Sequence, residues 1–119
     1  MLAAPEPRIE RVSYRSGFVE RLGEASRLPA ITIEAAHLPE DVLALLDHHL
    51  LDLRGTYGDP SAGDPIRYDE LRIEHDQGDV EIIVSNRAIL LFTADSEAVR
   101  RIHQVCCRLD DIAGSLRPA

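Results

Sequence analysis

The sequence predicts an α+β domain: a single antiparallel β-sheet of about four to five strands, with two helices at about 39–53 and 96–113 packed on one face. Three observations predict it. Two runs that alternate apolar and polar residues, one through Leu71 and Ile73 and one through Val80, Ile82 and Val84, flank a short glycine-containing turn, as a β-hairpin requires. Two stretches of helical periodicity each carry one apolar stripe that has to be buried. Arg72, Glu74 and Glu81 occupy the alternate hairpin positions, so one sheet face can meet water while the other receives both helices.

Residues 1–7 hold two prolines and little to bury, and read as a lead-in. Ile9, Val12 and Tyr14 suggest a first strand, Ser16-Gly17 a turn and Phe18-Val19 the start of a second strand. Ala30 to Glu34 alternates as a half-buried strand does. Pro39 suits a first helical position, Glu40 and Asp41 favour the positive end of the helix dipole, and Val42, Leu43, Leu46, Leu50 and Leu53 share one face. Leu45 and Leu51 lie off that stripe, and Gly55 offers a C-cap.

Residues 55–65, with three glycines and two prolines, read as a surface loop. Beyond the hairpin, Ser85-Asn86-Arg87 signals a turn, and the unbroken apolar run Ala88–Phe92 suggests a central strand. Asp95 or Ser96 can cap the last helix, with Glu97 in its first turn. Val99, Ile102, Val105, Cys106, Leu109 and Ile112 fill its buried arc, Arg100, Arg101, Gln104 and Arg108 its opposite side, and Gly114 ends it. Residues 8–114 thus make one domain, and 115–119 a frayed tail.

Composition narrows function. The chain has 119 residues and a net charge of −8, from thirteen basic and twenty-one acidic side chains. Every basic residue is arginine, which excludes Schiff-base and P-loop lysine chemistry, and no basic face is available for nucleic acid. The longest apolar run is far short of the ~18 residues that cross a bilayer, so no membrane partner is expected. No secretory signal is visible at the start, and the only cysteines, Cys106 and Cys107, are adjacent and unsuited to pairing with each other. A cytoplasmic location follows as the expectation.

Few side chains are spaced for chemistry. His48-His49 cannot face one ion from the same helix, because neighbours point ~100° apart. His48 with Asp52, and His103 with Cys107, do stand four apart, and with His37 or His75 they are the residues a metal site would draw on. His103 and Cys107 could equally pair imidazole with thiol, but far from a helix N-terminus and with no oxyanion-hole loop. Nucleotide, zinc-protease and hydrolase signatures are absent. The reading is therefore of no catalytic residue, no metal and no cofactor.

Tyr14-Arg15-Ser16-Gly17-Phe18, the Leu38-Pro39-Glu40-Asp41 helix start with Leu43, Leu45 and Leu46, and the run from Tyr68 through Leu71, Ile73 and Gly78 to Val80 resemble emfourin. That family comprises small bacterial inhibitors of thermolysin-like metalloproteases, and the resemblance covers most of residues 9–86. It departs in carrying a single Gly17 where a doubled glycine is expected. The resemblance implies a non-catalytic protein that blocks a protease with a loop, and makes Arg15, Ser16, Gly17 and Phe18 the contact residues. A protein partner, a metalloprotease in the most specific form, is the expectation. A metal-binding protein using His48, Asp52, His103 and Cys107, and an oligomerising subunit whose sheet pairs with a second copy, stand as the alternatives.

Overall fold

The computed structural model describes residues 8–58, 66–87, 90 and 96–116. Its strands are β1 (Ile9–Val19), β2 (Ala30–Glu34), β3 (Gly55–Tyr57), β4 (Ile66–His75) and β5 (Gly78–Ser85), arranged β2-β1-β4-β5-β3 in one sheet. The fold is α+β, as the alternation and the helical stripes predict. β1 is longer than its pattern suggests, because it runs on through Ser16 and Gly17 to Val19, while a register shift between Ile9 and Arg11 disturbs the period of two at its start.

No turn forms at Ser16-Gly17. Both residues lie within β1, Ser16 opposite Asp69 and Gly17 opposite Tyr68. A Cβ at Gly17 would sit 2.8 Å from Leu28 Cδ2, so this glycine serves close packing rather than a change of direction.

The hairpin forms as expected, with β4 reaching back to Ile66 and Asp76-Gln77 making the turn. The sheet is mixed rather than purely antiparallel, because β3 pairs parallel to β5. Gly55 therefore begins a strand instead of capping a helix. At Gly58 (φ +89°) a Cβ would meet the Ser85 carbonyl oxygen at 2.1 Å, so only glycine lets the chain leave beside β5. The rest of the expected loop, residues 59–65, lies outside the described residues.

The first predicted helix is two: α1 (Glu40–Leu45) and α2 (His48–Leu51). Pro39 is the residue before α1, and its carbonyl accepts the Val42 and Leu43 amides. Asp47 breaks the run by accepting the Leu50 N–H on its own carboxylate at 2.9 Å, a capping bond that starts a new turn. That break re-aims the side chains, which is why Leu51 is buried although it lies off the stripe of a continuous helix.

The last helix, α3 (Glu97–Leu116), begins where Ser96 Oγ accepts the Val99 N–H at 3.2 Å, and it continues through Gly114. Asp95 lies outside the described residues. So does most of the strand expected at 88–92; within it, the Leu90 N–H bonds the Asn86 carbonyl at 3.0 Å, a helical turn rather than a ladder. Asn86 (φ +54°) makes the expected turn.

Val12, Leu71, Ile73, Val80 and Ile82 of the sheet pack against Val42, Leu46 and Leu50, and against Ile102, Val105 and Leu109 of α3. All three helices thus share one face. Arg108 of α3 ties Asp41 of α1 at 2.7 Å across the surface. The opposite face carries the expected polar ladder, including Arg72 with Asp79 and Ser13 with Thr32. One end of it is covered, however: a 3-10 helix at Leu22–Arg27 brings Ala25 onto Val19, Ile66 and Tyr68.

Candidate functional site

Period two places Val12, Tyr14, Ser16 and Phe18 of β1 on the helix-facing side, opposite Ile73, Leu71, Asp69 and Arg67 of β4. The first two pairs are core. Past them the chemistry changes, since Asp69 is a carboxylate only 1% exposed in a position that the strand pattern reserves for an apolar side chain. A buried charge persists only when it is paired and hydrogen-bonded.

Asp69 is well supplied. Its Oδ1 accepts from Ser16 Oγ at 2.8 Å, and its Oδ2 from Arg87 Nε at 3.2 Å. Burial works to raise the Asp69 carboxyl, but the Arg87 charge and the bonds from Arg87, Ser16 and Tyr14 outweigh it and hold it below the usual carboxylate range. Tyr14 Oη lies 2.8 Å from both Asp69 Oδ1 and Asp110 Oδ1 of α3, and its one proton serves one carboxylate at a time. Burial is the largest reason that the Tyr14 phenol is pushed far above its ordinary value.

Arg87 closes the cluster from the Asn86 turn. Beyond Asp69 it donates through Nη2 to Asp110 Oδ2 at 2.8 Å and through Nη1 to His103 Nδ1 at 2.8 Å. Because a guanidinium only donates, Nδ1 accepts, and the neutral ring carries its proton on Nε2, 3.4 Å from Cys107 Sγ. Burial and the neighbouring Arg87 charge lower the His103 pKa.

On the outer side of the cluster stands Arg67, whose Nη2 reaches Ser16 Oγ, Asp69 and Asp110. Its guanidinium carbon lies 5.4 Å from the centroid of the Phe18 ring, a cation–π arrangement. Phe18 is 63% exposed, alone among the large hydrophobic side chains of the described residues. Between β1, the Pro29–Ile31 segment and the C-terminal half of α3 lies an open recess of about 570 Å³, lined by Tyr14, Ser16, Phe18, Ile31, Arg67 and Asp110 among others. Its volume falls within the ~300–1,000 Å³ of small-ligand pockets.

The four expected contact residues do not act as one loop. Ser16 and Phe18 face the recess, whereas Arg15 points to the other side of the sheet, where it pairs with Glu70 at 3.7 Å, and Gly17 packs on Leu28. Of the alternative metal residues, His103 and Cys107 do meet, but the Arg87 guanidinium, 3.4 Å from Cys107 Sγ as well, stands against both. A cation there opposes a second one. The His48 side chain lies outside the described residues, Asp52 is exposed beyond α2, and among the described residues no three His, Cys, Asp or Glu side chains could together hold a metal ion. Cys106 packs as a small hydrophobe, its thiol pushed up to about 12 by burial.

Asp69, Arg67, Arg87 and Asp110 escaped the sequence reading. One signal did exist. Within β4, core positions follow a period of two through Ile73 and Leu71 to Asp69, and a carboxylate in such a slot asks for a buried partner. Nothing local marks Arg87 or Asp110. No family model, curated protein or solved structure matches the chain.

Proposed function

We propose that this domain is a non-catalytic binding and regulatory protein that meets a protein partner through the face around Phe18. In its most specific form, which rests on the resemblance to emfourin, the partner is a thermolysin-like metalloprotease that it inhibits. The observation that carries the reading is the exposed Phe18 ring, braced by Arg67 at the rim of the recess. A large apolar side chain held rigid at the surface is costly unless something covers it, and aromatic anchors beside arginine dominate interface energies. Such a contact is made by a sheet face and the recess beside it rather than by a loop tip. The net charge of −8 would speed association with a basic partner.

The experiment measures peptide hydrolysis by several thermolysin-like proteases with increasing amounts of this protein. Inhibition is expected at micromolar concentration or below. Phe18→Ala should weaken it by about tenfold or more, the usual effect of losing an aromatic anchor, without moving the thermal midpoint. Unimpaired proteolysis by every protease tested refutes the metalloprotease assignment.

A further inference from the structure

We infer that the recess beside Phe18 is a binding site for a monocarboxylate with an aromatic or branched apolar body, and that Arg67 is its anchor. The two arginines of the cluster are used very differently. Arg87 commits all three nitrogens, Nε to Asp69, Nη2 to Asp110 and Nη1 to His103. Arg67 makes all of its side-chain hydrogen bonds among the described residues from Nη2 alone. Its distances to Asp69 and Asp110 run from 3.3 to 3.5 Å, long for charge-assisted contacts, which close to ~2.7–2.9 Å. Its Nε is buried and has no acceptor.

A buried donor without an acceptor is rare in folded proteins; of the two among the described residues, Arg15 Nε and Arg67 Nε, only that of Arg67 borders this recess, where its guanidinium keeps unused hydrogen-bonding capacity. Arginine offers its donors in a planar fork that matches the two oxygens of a carboxylate. The cluster itself is balanced, two carboxylates against two guanidiniums, so an entering carboxylate meets an arginine whose counter-ions are already shared with Arg87. Phe18, Pro29, Ile31 and Ala113 supply the apolar walls for the body of the ligand. The overall charge of −8 opposes anions at long range, which favours a single negative charge over a phosphate or a dicarboxylate. The inference does not depend on the protease assignment and stands or falls separately.

The test is an NMR titration of the ¹⁵N-labelled full chain with 3-phenylpropanoate, set against 3-phenylpropan-1-ol, 3-phenylpropylamine and acetate. 3-Phenylpropanoate is expected to saturate in the millimolar range or tighter, with shifts at Ser16, Phe18, Arg67 and Ala113. It should bind about tenfold more tightly than each comparison compound, the equivalent of one charge-assisted contact or of the apolar body. Arg67→Gln should abolish the preference for acid over alcohol. Gly114→Leu provides a second variant that leaves the cluster intact: Gly114 lines the recess and no atom lies within 4 Å of where its Cβ would be, so the new side chain should block binding of 3-phenylpropanoate. Equal binding of acid and alcohol, tighter binding of the amine, shifts confined to other surfaces, or no saturation at any soluble concentration would each overturn the inference.

Discussion

The two ends of the β1–β4 pair, on the side that faces the helices, solve the same packing problem with opposite chemistry. At one end Val12 lies opposite Ile73 and Tyr14 opposite Leu71, and the side chains of α1, α2 and α3 close over them. At the other, Ser16 lies opposite Asp69 and Phe18 opposite Arg67, and the cover is incomplete. The apolar end gains from every surface removed from water. The polar end gains little net stability from its charges, because desolvation offsets most of their attraction, and a well-packed apolar replacement often does as well. The open recess lies beside the polar end, and the binding proposed above would take place there.

The largest expected effect breaks the polar end. Asp69→Ala takes from the buried Arg87 its buried counter-ion and leaves it only the partly exposed Asp110, which should cost about 3–5 kcal/mol in urea unfolding, whereas joint replacement of Asp69 and Arg87 by leucine should cost less than the single change. If the single change proves mild, the polar end is effectively solvated and the contrast disappears. Next comes the apolar end, where Leu71→Ala removes a fully buried side chain and should cost about 2–5 kcal/mol. Removing a partner residue as well should deepen that loss rather than recover it, since it is a cavity and not an orphaned charge.

The smallest effect is a pH dependence specific to the polar end. His103 has a folded-state pKa below its unfolded value, because burial and Arg87 disfavour the imidazolium more than Asp69 and Asp110 favour it. The unfolded chain therefore binds the extra proton first. Stability from this group is complete above the ordinary histidine value of about 6.5 and declines as pH falls through it. Unfolding midpoints at neutral pH and near pH 5.5 should differ for the natural chain and converge for His103→Gln. Asp69, with its depressed pKa, loses its contribution only in more acid solution, below the ordinary aspartate value, so the two titrations separate.

Much of the architecture was legible in local patterns. The hairpin, the Asn86 turn and the Ser96-capped helix rest on interactions between residues close in sequence, the strand at Ala30–Glu34 on its own alternation, and each formed where its pattern lies. Two glycines depart from their local patterns for one cause, a partner distant in the chain: Gly17 looks like a turn until Leu28, eleven positions away, is seen against it, and Gly55 looks like a cap until β5 pairs with it. The break between α1 and α2 is local instead, a bond from the Leu50 N–H to the Asp47 carboxylate. The candidate site was the least legible part, because Ser16, Arg67, Asp69, Arg87 and Asp110 come from four separate stretches of chain. Of the residues singled out for contact, the alternation of β1 kept Ser16 and Phe18 on the useful side and sent Arg15 and Gly17 to the other.

From the sequence alone came the class of fold, the positions of most of its elements and the strong negative charge, since periodicity, capping and composition act over a few residues or over the chain as a whole. The tertiary structure alone decided that β3 runs parallel to β5, that a carboxylate and an arginine share the interior beneath α3, and that Phe18 stays uncovered. Those outcomes depend on which distant side chains arrive at the same place, and pairing in a low-dielectric interior is a property of that meeting rather than of any one residue.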